Sequence, residues 1–167
     1  MHMWQYIEER FAGKQAKLRV ITSMLRLGLR VDASGRIFCD NIEIAPAKFA
    51  RAIEVDRRVV IEAAKDIASD KQLLEVFSRL RPTANVAGAA RQLGHEVIDI
   101  DADPNSVGLT AKVTAIMARH KVKIRQIIAD DPDLYPEPKL HLVLEGRLPR
   151  AAAEELRNLR VQAVSFK

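Results

Sequence analysis

Apolar residues recur every three or four positions through the first half of the chain and shift to strict alternation after residue 95. The first pattern predicts helices and the second predicts strands with one wet face. Residues 4–11 place Trp4, Ile7 and Phe11 on one side of a short helix. Residues 14–27 align Leu18, Ile21 and Leu25, and Gly28 follows as a helix stop. The stretch "LRVDASGRIFCDNIEI" predicts two or three short strands turning at Asp32-Ala33-Ser34-Gly35. A helix opening at Pro46 and ending near Ile53 is followed by a second from the N-cap Asp56 to about Ala68. Phe49, Ala50 and Ile53 before the turn, with Val60, Ala63 and Ile67 after it, give the outline of a helix-turn-helix. "KQLLEVFSRL" and "ANVAGAARQL" read as two further helical stretches, forming a packed connector closed by Gly94.

Beyond residue 95 the order is strand, helix, strand, strand, helix, strand. "HEVIDIDAD" sets Ile98, Ile100 and Ala102 against Asp99, Asp101 and Asp103, read as a solvated face. "LTAKVTAIMARH" forms a helix with Leu109, Val113, Ile116 and Met117 in a stripe. "VKIRQIIAD" and "KLHLVLEG" follow as strands, "PRAAAEELRNL" as a helix and "VQAVSF" as the last strand. This is the split βαβ plan, with helices on one face of an antiparallel sheet.

Composition narrows the class. The 167 residues are 48% hydrophobic and 29% charged, and no apolar run approaches the length of a membrane span. No signal-peptide core is visible, and the single Cys39 fits a reducing compartment, so a cytoplasmic location is expected. His2, His95, His120 and His141 have no metal-ligand spacing, and no cofactor, metal site or nucleophile-base pairing is read. The net charge of +5 lies wholly in the first half: residues 1–94 carry 16 Lys/Arg against 11 Asp/Glu, and the rest carry 11 of each. Such asymmetry is what a polyanion partner demands.

A helix-turn-helix presents the start of its second helix to the major groove. Arg57, Arg58 and Lys65 there, with Lys48 and Arg51 on the preceding helix, are the candidate DNA-binding residues. The alternative is a solvated face on which Arg57 and Arg58 pair with Glu54 or Glu62. Glu54 occupies the turn position that glycine usually takes, which forces an uncomfortable backbone and adds negative charge.

The second half poses a different question at "DADPNSVGLTAKV", where a glycine stands between a turn and a helix. It is either plain turn chemistry or a place where backbone amides meet a ligand. In the following strand, alternation puts Gln126 and Asp130 on the same face as Val122, Ile124 and Ile128, where hydrophilic groups require partners. Helix N-terminal amides suit a carboxylate, and Asp130 beside Asp131 suits an ammonium group, although Asp-Asp-Pro is also good turn sequence. His141 falls on the exposed face.

The strand "VIDIDAD", the loop "PNSVGL" and the helix "LTAKVTAIMARHKVKI" resemble the ACT domain, a small amino-acid-sensing module. "VDRRVV", "IRQ-x-x-x-DDP" and "PKL" extend the resemblance to archaeal proteins described as predicted regulators of amino-acid metabolism that contain an ACT domain. Val107 stands where many members carry proline. The resemblance implies an amino-acid effector at Asn105, Ser106, Val107, Gly108 and Leu109, joined by Gln126 and Asp130, in a site shared across a homodimer. The expected architecture is α+β: a helix-turn-helix-like domain with a small β-hairpin over 1–70, a helical connector over 71–94, and a ferredoxin-like βαββαβ ACT domain over 95–167. The expected function is an amino-acid-responsive transcriptional regulator, not an enzyme. The rivals are a regulatory subunit that docks on an enzyme without touching DNA, and an ACT fold used only for dimerisation.

Overall fold

Positive backbone φ angles sit at the chain's turns, and two compact units are built around them, Met1–Thr83 and Ala84–Lys167. The computed structural model describes residues 3–103, 106–159 and 161–166. Among these are seven α-helices and two antiparallel sheets, of three and four strands. None of the helices is long and apolar enough to cross a membrane.

In the first unit, helices α1 (Met3–Arg10) and α2 (Gln15–Leu27) bury Ile7, Val20, Ile21 and Met24. Helix α2 stops at Gly28 in the left-handed conformation, and Leu29 N–H closes back on the Met24 carbonyl at 2.8 Å. Strands β1 (Arg30–Val31), β2 (Ile37–Cys39) and β3 (Ile42–Glu43) form the small sheet. The Asp32 carboxylate organises the first turn, accepting from Ser34 N–H at 2.9 Å and Arg36 N–H at 3.0 Å. Burial opposes its charge, but these bonds and those from the Ser34 hydroxyl and Arg36 guanidinium prevail. They hold the carboxyl far below the ordinary range.

Helices α3 (Pro46–Ala52), α4 (Arg57–Ser69) and α5 (Lys71–Phe77) complete the unit, with α4 packed against α2, α3 and α5. Val60, Ala63, Ala64 and Ile67 of α4 are buried with Phe49, Ala50, Leu73 and Phe77. Asp70 ends α4 and caps α5, accepting from Gln72 N–H at 3.0 Å and Leu73 N–H at 3.2 Å. It also accepts from the Tyr6 hydroxyl at 2.6 Å, which ties α1 to the same corner.

The second unit has strands β4 (His95–Asp101), β5 (Ile124–Ala129), β6 (Lys139–Glu145) and β7 (Ala163–Phe166), ordered β5-β6-β4-β7. Helices α6 (Leu109–Arg119) and α7 (Arg150–Arg157) bury Val113, Ile116, Met117, Ala152 and Leu156 against Ile98, Ile100, Leu140, Leu142 and Leu144.

Two readings of the sequence need correction. The stretch 84–93 does not form a helix. It makes one turn of 3-10 helix at Ala87–Ala89 and then turns, while Lys71–Phe77 belongs to the first unit's core. The 84–90 segment instead lies on the sheet face away from α6 and α7, packing Val86, Ala87 and Ala90 against Val97 and Val143. That face is therefore partly covered, and Asp99 is buried on it at 7% exposure.

The second correction concerns β5. Its register against β6 shifts between Ile124 and Gln126: Ile124 pairs with Leu144 and Gln126 with Val143, leaving Arg125 as an inserted residue. A bulge of this kind flips every later side chain relative to the simple alternation. Gln126 and Ile128 thus lie with Val143 and His141, not with Ile124 on the helix side.

Candidate functional site

The turn between α3 and α4 follows from backbone chemistry. Val55 N–H donates to the Ala50 carbonyl at 3.0 Å, Glu54 N–H to Arg51 at 3.4 Å, and Glu54 takes φ +55°. This is a Schellman closure with glutamate in the position glycine normally fills. Asp56 then caps α4 by accepting from Arg58 N–H at 2.7 Å. Lys48, Arg51, Arg57, Arg58 and Lys65 are all exposed, and among the described residues none of them makes an ion pair. Glu62 is not held by the arginines but by Lys17, at 3.2 Å, which also binds Asp66 at 2.8 Å. The hydrogen bond to Asp66 raises the Lys17 pKa despite partial burial. The exposed cations therefore keep their full capacity to meet phosphate groups.

A cavity of about 210 Å³ opens in the second unit at the start of α6. Ser106, Gly108, Leu109 and Thr110 line one side, and Asp130 and Lys139 line another. Gly108 is the N-cap of α6, with φ +82°, and itself supplies no side-chain cap to the first-turn amides. Among the described residues nothing lies within 4 Å of where a Cβ on Gly108 would stand. The positive φ alone explains why glycine occupies this turn, and the open space makes it the approachable side of the cavity.

Asp130 is held in place. Its Oδ2 accepts from Lys139 N–H at 3.2 Å, and Asp130 N–H donates to the Lys139 carbonyl at 2.9 Å. The same Oδ2 lies 3.2 Å from His141 Nε2, and His141 Nδ1 lies 2.7 Å from Asp99 Oδ1. A carboxylate only accepts, so each contact is a hydrogen bond only from a ring nitrogen that carries a proton. The chain Asp99–His141–Asp130 links the buried carboxylate to the cavity wall. Neither His141 nor Asp99 is the solvated residue that alternation suggests: Asp99 is buried, and the two side chains meet. The β4–β6 register sets Asp99 opposite His141, and the bond from Asp130 N–H to the Lys139 carbonyl brings the second acid beside them.

The remaining candidates separate. Val107 is 93% exposed and does not line the cavity. Asn105 lies outside the described residues. Gln126 shares the sheet face of His141 but does not line the cavity; its amide donates to the Ala84 carbonyl at 2.6 Å and accepts from Val86 N–H at 3.0 Å. It ties down the covering segment. Ser106, Gly108, Leu109 and Asp130 are thus brought together, and Gln126 is not among them. No model of a known protein family and no curated protein matches this chain.

Proposed function

We propose that this protein is an amino-acid-responsive transcriptional regulator, with a helix-turn-helix-like first unit that binds DNA and a ferredoxin-like, ACT-type second unit that binds the effector. The observation that carries the reading is the cavity, which both the start of α6 and the fixed Asp130 line. An α-amino acid is anionic at one end and cationic at the other, and both ends find complements here. The carboxylate goes to the start of α6 and the ammonium group to Asp130. The strand order and the βαββαβ succession support the ACT-type assignment, and the unpaired cations around the α3–α4 turn support DNA contact. Effector binding changes DNA affinity only if it favours one arrangement of the chains, and a homodimer through the second unit supplies such arrangements.

The test is a thermal-shift screen of the full chain against the twenty amino acids, followed by gel shifts on genomic fragments. A ligand at about one hundred times its Kd adds roughly 2.7 kcal/mol of stability, which is easily read. One or two hits, lost in Asp130→Asn, and salt-sensitive DNA retention, lost in Arg57→Ala/Arg58→Ala, are expected. Silence across all twenty sinks the effector reading. Hits without DNA retention replace the regulator with an enzyme-docking subunit.

A further inference from the structure

At the end of the four-stranded sheet away from this cavity, a second cleft of about 530 Å³ lies between the turn before β4 and the loop after β6. Its walls are Arg91, Gly94, His95, Glu96, Gly146 and Arg147. Both arginines are exposed, and among the described residues neither has an ion-pair partner. The one carboxylate among them, Glu96, accepts from Leu148 N–H at 2.6 Å through Oε2 and so holds the loop that carries Arg147. Gly94 and Gly146 have positive φ, and nothing lies within 4 Å of where their Cβ atoms would be. The main chain on both walls is therefore open to close approach.

His95 lines the same cleft, and its Nδ1 is buried without a hydrogen-bond partner among the described residues. An orphaned buried N–H is rarer and costlier than an orphaned lone pair. The favoured tautomer therefore leaves Nδ1 bare and carries its proton on Nε2, which makes the ring a donor. Two guanidinium forks and one imidazole donor around a glycine-walled cleft match an acceptor-only group with several oxygens.

We propose that this cleft binds a phosphate group, held by Arg91 and Arg147 with His95 as a third donor. Phosphate is favoured over a single carboxylate because it offers enough oxygens, and enough charge, for both arginines at once. The proposal stands apart from the effector cavity and does not depend on an amino acid binding there.

The experiment is a nuclear-magnetic-resonance titration of the full chain with inorganic phosphate, with ribose 5-phosphate and with acetate, at constant ionic strength. Saturable shifts confined to residues 91–96 and 145–148 are expected with phosphate, and much weaker ones with acetate. Arg91→Gln and Arg147→Gln should each weaken binding about tenfold, while Arg125→Gln, an exposed arginine on β5, should leave it unchanged. Tighter binding of the sugar phosphate identifies a phosphorylated metabolite as the source, and equal binding identifies the free ion. No saturation, equal response to acetate, or equal loss in Arg125→Gln overturns the proposal.

Discussion

Gly28 and Gly108 both have positive φ, but alanine at the two positions should have quite different consequences. At Gly108 the new Cβ meets nothing within 4 Å. The cost is then only the left-handed backbone, about 1–2 kcal/mol, partly offset by the reduced freedom of the unfolded chain, leaving a net loss of about 1 kcal/mol. At Gly28 the Cβ would stand 2.6 Å from the Arg81 carbonyl carbon and 2.8 Å from Pro82 N, and nearer still to the carbonyl oxygen. Those are main-chain atoms, and no side-chain rotation relieves them. Adding the roughly 1–3 kcal/mol typical of overpacking brings Gly28→Ala to about 3 kcal/mol.

The two effects are separable because the glycines lie in different units. The single tryptophan, Trp4, packs against the first core, so its fluorescence during urea unfolding reports on Gly28→Ala. Amide exchange in β4 and β6 reports on Gly108→Ala. A loss of about 3 kcal/mol corresponds to a fall of roughly 12–24 °C in the first unit's midpoint. If Gly28→Ala is no worse than Gly108→Ala, the packing of Arg81–Pro82 across the end of α2 is wrong. Gly108→Ala also bears on function: it should preserve the fold yet reduce ligand affinity, since Gly108 lines the cavity.

Other outcomes follow from the same geometry. Burial opposes the Asp70 charge, but the bond from Tyr6 and those from the α5 amides win and lower its pKa, while the hydrogen bond to Asp70 raises that of Tyr6. The Asp70 contribution should therefore be complete above the ordinary carboxylate value of 3.8 and vanish as pH falls through its depressed folded value. The Tyr6 contribution should be complete below 10.0 and vanish as pH rises through its raised value. Tyr6→Phe should flatten both limbs of the first unit's denaturation-midpoint profile, and an unchanged profile would refute the linkage. Glu54→Gly should stabilise the first unit by about 0.5–1 kcal/mol by relieving the positive φ, and should strengthen DNA retention in gel shifts by removing a negative charge. Gln126→Leu should cost the second unit about 1–2 kcal/mol by unpairing Val86 N–H, while cavity ligands bind as before. A loss of ligand affinity at unchanged stability would return Gln126 to the site.

The first unit was legible because its signals are local. The Asp56 cap, the Pro46 start, the Gly28 stop and the apolar spacing from Phe49 to Ile67 act within a few residues, and the observed helices follow them. Even the strain at Glu54 could be anticipated, since the closing turn needs a left-handed residue whatever its identity. In the second unit the order of elements and the buried stripes of α6 and α7 were equally readable, because periodicity records which side of an element meets a core.

Tertiary structure alone decided the faces of β5 and the fate of residues 84–93. The bulge at Arg125 arises from pairing with β6, a partner distant in sequence, and no local pattern marks the inserted residue. Helical spacing in "ANVAGAARQL" lost to the sheet surface, which needed cover and had the Gln126 amide to bind its backbone. Asp99 is buried on that face and meets His141, which also reaches Asp130, so two residues with solvent-facing patterns join a third at the cavity wall. Sequence determines local geometry because cap, turn and stripe are short-range. The assembly of a site across strands depends on register and on what lies over them, which are set only when distant segments meet.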